Sequence, residues 1–247
     1  MKALSTVVSV FVVALLSANT APVFAQEAGT PEEPVVAQVV VWAERRAEGE
    51  PYPLRLLLSE AVLRFDGGKD EDDFLLLERD SKTLYNIVRA DQSILQVPYV
   101  PVAVDDTLAA AIRLEHTLES MQGAPEVEGL APLKLTLKAN GEVCRTSVVV
   151  PELFPAVLEA LREFATVMAS FHAASLPVTA SENVNACNFA DAILQPTRAL
   201  DSGFPVQENQ SAGVQRMLFS VEDDAALPAA LFALPAGYTT QTFSVTR

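Results

Sequence analysis

The chain is poor in the residues that most often carry chemistry. Its 247 residues include two cysteines, two histidines and one tryptophan. Neither His116 nor His172 sits in a Gly-x-Ser-x-Gly or His-Glu-x-x-His pattern, so nucleophilic triads and zincin-type hydrolysis find no support. Two thiols would need further ligands to hold zinc, and only those two imidazoles are on offer. Basic residues are also scarce: 17 Lys+Arg face 32 Asp+Glu, a formal charge of −15. That field repels phosphate backbones at long range and argues against nucleic acid as a partner. After the first 25 residues no stretch approaches the roughly 20 apolar residues of a spanning helix, so no integral membrane segment is expected once those residues are removed.

What is present begins with those 25 residues. Lys2 gives a positive start, Val7 to Leu16 is a short apolar run, and Val23-Phe24-Ala25 places small residues at the −3 and −1 positions of a cut before Gln26. Residues 1–25 read as a signal peptide. The next segment, QEAGTPEEP and a few residues beyond (26–37), reads as a flexible acidic linker, and residues 38–247 as one folded domain. In an oxidising compartment the isolated pair Cys144 and Cys187 reads as a structural disulfide. Together these features describe an exported, soluble chain.

Periodicity describes the fold class. Val39 to Trp42, Pro53 to Leu58, Ala61 to Phe65, Phe74 to Leu77, Thr83 to Val88 and Ile94 to Val97 are short β-compatible runs separated by tight polar turns, the pattern of an antiparallel meander. Within Ala61 to Phe65, Leu63 and Phe65 share one face and Arg64 takes the other. Ile112, Leu114, His116 and Leu118 alternate with Arg113, Glu115, Thr117 and Glu119, which favours a strand from Ile112 to Met121 over a helix. Leu133 to Leu137 and Val143 to Val150 flank Ala139-Asn140-Gly141-Glu142, a hairpin. Pro151 to Ser175 is the clearest helix: Leu153, Val157, Leu161, Phe164, Met168 and Phe171 recur at threes and fours. Leu176 to Asn188 reads as a polar loop, Ala212 to Glu222 as a strand, and Leu231 to Tyr238 as a terminal turn pinned to the sheet. A sheet with one apolar face and one long amphipathic helix cover each other, the α+β solution. The same six helix residues are the candidates for contact with an apolar ligand.

Acidic clustering offers little. Asp66 to Asp73 (DGGKDEDD) is oxygen-rich, but its two glycines follow Asp66 directly, which breaks EF-hand spacing. It reads as a solvated hairpin loop, and neither metal nor cofactor is expected.

Several segments taken in order resemble a known group. Arg64-Phe65-Asp66, the run Leu77 to Ile87 (LERDSKTLYNI), Gly141-Glu142-Val143-Cys144, Gly203-Phe204-Pro205-Val206 and Leu231 to Tyr238 (LFALPAGY) are similar to successive motifs of an exported bacterial family related in architecture to the LolA/LolB lipoprotein carriers. The resemblance covers residues 55 to 240. It implies a curved, incomplete barrel with helix against its hollow side, and a periplasmic, non-catalytic protein holding a lipid or acylated ligand there. The competing expectation is an interaction or envelope-maintenance module whose sheet and helix faces fill each other completely.

Overall fold

The first strand shows how this sequence becomes a sheet. In β1 (Val35–Arg46), Val40, Trp42 and Glu44 are buried on one face while Val41 and Ala43 between them are less so, the period of two that a half-covered strand requires. The structure is a computed structural model describing residues 33–69, 72–101, 104, 106–175 and 185–244. Residues 1–25, expected to be a signal peptide, and residues 26–32 of the expected linker lie outside the described residues. The last part of that linker is strand instead: Val35, Val36 and Ala37 pair with Leu227, Ala226 and Ala225, because the run VVAQVVV extends the β pattern four residues upstream of Val39.

Five more strands follow as a meander: β2 (Tyr52–Leu58), β3 (Val62–Asp66), β4 (Phe74–Glu78), β5 (Thr83–Val88) and β6 (Ser93–Pro98). Each pairs antiparallel with its sequence neighbour. The strand expected from Ile112 to Met121 is β7 (Leu114–Ser120), and a short helix, α1 (Asp106–Ala110), precedes it. Alternation found the strand but not its environment. Leu118 is 46% exposed and His116 is exposed, because β7 is an edge strand and only its start packs, through Ile112 and Leu114.

The second half runs β8 (Leu133–Ala139), β9 (Glu142–Val150), β10 (Phe204–Gln210) and β11 (Val214–Leu227), with β12 (Thr239–Thr242) adding parallel to β6. Asn140 and Gly141, at φ 51° and 84°, make the β8–β9 connection a turn with both central residues left-handed, the hairpin chemistry of Asn-Gly. β11 pairs with β1 from Val35↔Leu227 to Arg46↔Val214 and so joins the halves. The result is one curved, unclosed twelve-stranded sheet in the order β12-β6-β5-β4-β3-β2-β1-β11-β10-β9-β8-β7. Its class is α+β.

One long helix, α2 (Pro155–Ser175), covers one face. It starts at Pro155, four residues later than the expected start at Pro151. Pro155 opens the helix, and the residue before a proline is driven from helical geometry; Phe154 has φ 47° and Glu152 φ 63°. Leu153, Val157, Ala160 and Val167 meet Val40, Trp42, Leu56 and Leu77 in the main core. Three polar ties hold the helix in place: Arg79 Nε donates to Glu163 at 2.7 Å, Arg162 Nη2 donates to the Leu200 carbonyl at 2.7 Å, and the Ser170 hydroxyl bonds the Val100 backbone.

On the opposite face Phe74, Leu76, Tyr85, Ile87 and Ile94 form a second core, with Tyr238 against it. Arg64 points there, as its alternation requires. It is 1% exposed, donates to Asp66 at 2.7 Å and to the Leu231 carbonyl at 2.8 Å, and lies 3.8 Å from the Phe74 ring. The terminal segment is therefore pinned to the sheet by a buried guanidinium.

After α2, residues 176–184 of the expected polar loop lie outside the described residues. Its end is helical: Asn185 Oδ1 accepts from Asn188 N and caps α3 (Ala186–Phe189), which runs on as a π-helical turn, Ala190–Leu194. Cys187 in α3 bonds Cys144 in β9, with Cα atoms 5.0 Å apart, confirming the disulfide. No helix among the described residues is long and apolar enough to cross a membrane.

Candidate functional site

Between α2 and the sheet lies a cavity of about 590 Å³. Its size is within the roughly 300 to 1,000 Å³ of small-molecule sites. The helix contributes Leu161, Phe164 and Met168; the sheet contributes Trp42, Leu54, Phe65 and Leu75. The six ligand candidates on α2 thus separate into two groups. Leu161, Phe164 and Met168 line the cavity, whereas Leu153 and Val157, 3% and 0% exposed, are packed into the core nearer the helix start. Phe171 does not line the cavity either; it packs against the main core from a partly buried position, its ring 4.9 Å from Phe243 and 5.9 Å from His172.

Strand register explains why one part of this cavity is polar. Tyr52 stands opposite Glu44, Glu44 opposite Arg216, Arg216 opposite Glu208, and Glu208 opposite Ser147. Five strands, β2-β1-β11-β10-β9, therefore carry one cross-strand row of polar side chains on the covered face. One step along the same face the row becomes Leu54, Trp42 and Leu218, all apolar in body. The boundary between a wettable and a greasy wall is a single two-residue repeat.

The charged members of the row are paired, while Ser147 Oγ at its β9 end is buried without a partner. Glu44, 2% exposed, accepts from the Tyr52 hydroxyl, from Arg46 Nε at 3.0 Å and from Arg216 Nη2 at 2.6 Å. Burial alone would raise its carboxyl, but the Tyr52 phenol and the Arg216 guanidinium outweigh it and hold Glu44 below the ordinary carboxylate range. Burial and the Glu44 charge together push the Tyr52 phenol up. Arg145 Nη1 reaches Glu208 at 2.5 Å and Nη2 reaches Asp191 at 3.5 Å. Burial disfavours that guanidinium, yet the charges of Glu208 and Asp191 prevail and raise it. Asp191 also takes Arg198 at 2.6 Å, on the segment that the disulfide ties to β9.

Three nitrogens on cavity-lining side chains have no hydrogen-bond partner while buried: Trp42 Nε1, Arg145 Nε and His172 Nδ1. This polar end was not read from the sequence. Its one local signal was Glu44 following Val40 and Trp42 on the buried face of β1; the rest depends on register between distant strands.

Asp70 and Glu71 of the acidic loop lie outside the described residues, and its described carboxylates bond within the protein. Asp66 accepts from Arg55 at 2.8 and 2.9 Å, from Arg64 and from Gly68 N, and Asp73 accepts from Arg89 N. Burial would raise Asp66, but Arg55 and Arg64 hold it low. No group of three or more potential metal ligands occurs among the described residues.

The chain matches no protein-family model and no curated protein. Among solved structures it aligns with PNGF-II, at 9% identity over 84% of this chain and 31% of that one, with a TM-score of 0.40. The chain therefore spans about a third of the length of PNGF-II. It also aligns with an uncharacterized conserved protein from Thermus thermophilus, at 11% identity over 85% of this chain and 91% of that one, with a TM-score of 0.41. Neither likeness assigns this chain to a family.

Proposed function

We propose that this protein is a non-catalytic binding protein of the periplasm that holds a lipid or acylated ligand between its sheet and α2, in the manner of LolA/LolB-like carriers. The observation that carries this reading is the cavity itself. Leu161, Phe164 and Met168 on α2 and Phe65, Leu75 and Leu54 on the sheet pack against the edge of the main core but stay only partly buried and line the cavity, whereas Leu153 and Val157 are fully buried. A core that only stabilised the fold would close that space, since an unfilled apolar void costs roughly 20 cal/mol per Å² of its surface. The carboxylates near it are matched by guanidiniums and serve the site's architecture, which supports a binding role over acid–base work.

The test is native mass spectrometry of the protein purified from its own compartment without detergent, followed by organic extraction. A stoichiometric acyl-containing species is the expected result. A bare mass, together with no uptake of decanol or decanoate by the purified protein, would overturn the reading.

A second reading, an interaction module, has one observation in its favour. Phe219 is 77% exposed and Met217 57% exposed on β11, near the middle of the sheet. It predicts association through that strand and is unaffected by occupancy of the cavity.

A further inference from the structure

An apolar ligand explains only half of the cavity. The other half presents arginines, and the buried polar atoms left over there are nitrogens. Trp42 Nε1 and Arg145 Nε can only donate, and His172 Nδ1 donates in one of its two neutral tautomers and whenever the ring is charged. Trp42 is 2% exposed, so its N–H has little recourse to solvent. Orphaned donors in a buried wall call for an acceptor, because each one left unmade forfeits its full desolvation cost. The carboxylates beside them are committed: both oxygens of Glu44 and both of Glu208 contact arginine or tyrosine. On the lining Arg46, Arg145 and Arg216 match the three carboxylates Glu44, Asp191 and Glu208, so the polar end is formally neutral within a chain whose total is −15, and Arg198 behind it adds a further cation on Asp191.

Resting on the carrier reading above, we infer that the ligand is a single-chain amphiphile with an anionic, acceptor-only head group. The head sits against Trp42, Arg145 and His172, and the alkyl chain lies along Leu161, Phe164 and Met168. The step from the polar row Tyr52–Glu44–Arg216–Glu208 to the apolar row Leu54–Trp42–Leu218 is where head and chain divide. A carboxylate and a phosphate monoester share this chemistry: both accept charge-assisted hydrogen bonds from guanidinium and offer no donor that would clash with the orphaned N–H groups. A cationic head would meet arginine, and a hydroxyl could satisfy only part of the set.

Trp42 makes this directly measurable. It is the only tryptophan in the chain and forms part of the cavity wall, so intrinsic fluorescence reports occupancy without a label. The probes are decanoate, decyl phosphate, decanol and decylammonium, titrated into the full folded chain below their micelle concentrations. At least one anion is expected to bind roughly tenfold or more tightly than decanol, with decylammonium weakest, and with a Trp42 emission shift that decanol does not produce. Decanol binding as well as both anions overturns the head-group inference and leaves the apolar carrier intact. Decylammonium binding best also overturns it and assigns the polar end to cations through Glu44 and Glu208. Failure of all four overturns the carrier reading itself. Arg145→Gln sharpens the result: decanoate is expected to weaken about tenfold while decanol is unchanged. Should that variant fail to fold, the four-probe series on the unaltered protein still decides.

Discussion

Glu44 and Asp66 are buried carboxylates that remain ionised because guanidiniums sit on them, and this fixes the sign of the protein's response to acid. Burial opposes the charge at both positions, but Tyr52 and Arg216 at Glu44, and Arg55 and Arg64 at Asp66, hold both carboxyls below their ordinary values. As pH falls below about 4, the unfolded chain takes up protons before the folded one does. The stabilisation is complete above that range and is lost as pH drops through the lower folded values. Urea midpoints measured between pH 6 and pH 3 should therefore fall steeply, and Glu44→Gln with Asp66→Asn should flatten the slope while lowering stability at pH 6. An unaltered slope in the double variant would show that these two groups do not govern acid unfolding. Arg64 gives a second residue-level expectation. It joins Asp66, the Phe74 ring and the Leu231 carbonyl from a position 1% exposed. Arg64→Leu strands part of a buried carboxylate's pairing and should cost about 3 kcal/mol. Early proteolysis around residues 229–238 should accompany it, and a cost below about 1 kcal/mol would mean Arg55 alone satisfies Asp66.

At the scale of elements, α2 carries two kinds of apolar residue that its periodicity does not distinguish. Leu153 is 3% exposed within the main core, and Leu153→Ala should cost about 2 to 5 kcal/mol. Phe164 is larger but faces the cavity, with one ring partner, Phe65, at 4.9 Å. Phe164→Ala should cost less than Leu153→Ala, since Phe164 is only partly buried and lines the cavity whereas Leu153 is fully buried, and denaturant midpoints of the two variants order them directly. The reverse order would mean that the cavity is closed in solution. This is also the limit of what the sequence could tell. Helix, hairpin and meander were legible because each is set by neighbours: the Asn140-Gly141 turn, the threes and fours of α2, the twos of β2 to β6. The polar row was not, because Glu44 meets Arg216 across 172 positions. Nor was the start of α2, where Pro155 overrides the apolar spacing that begins at Leu153. The disulfide lies between these cases. Pairing followed from there being only two cysteines, but that it seats Asp191 beside Arg145 did not. Its loop spans 43 residues, for which the chain-entropy model gives about 4 kcal/mol. Reduction should lower the urea midpoint accordingly, and the loss should be smaller in a protein already saturated with ligand.

For the whole molecule the decisive feature is that β1 and β11 join two meanders and that the cavity straddles the join. Trp42 and Glu44 come from one meander, Arg216, Glu208 and Arg145 from the other, and α2 lies over both. Anything bound there bridges the halves, so occupancy and global stability are linked. A ligand present at 100 times its dissociation constant stabilises the folded state by about 2.7 kcal/mol. For a domain of this size each kcal/mol moves the midpoint by about 2 to 4 °C, which gives an expected rise of about 5 to 10 °C in thermal unfolding with a bound anionic amphiphile. Salt should act separately. With a net charge of −15, added sodium chloride screens repulsion between exposed carboxylates and raises the midpoint of the empty protein, while the buried row is screened much less. The two effects should therefore add at moderate ionic strength. If the ligand-induced rise vanished at about 0.3 M salt, well past the range where surface charges are screened, while the protein stayed folded, the amphiphile would be held at the exposed surface by charge rather than inside the cavity between α2 and the sheet.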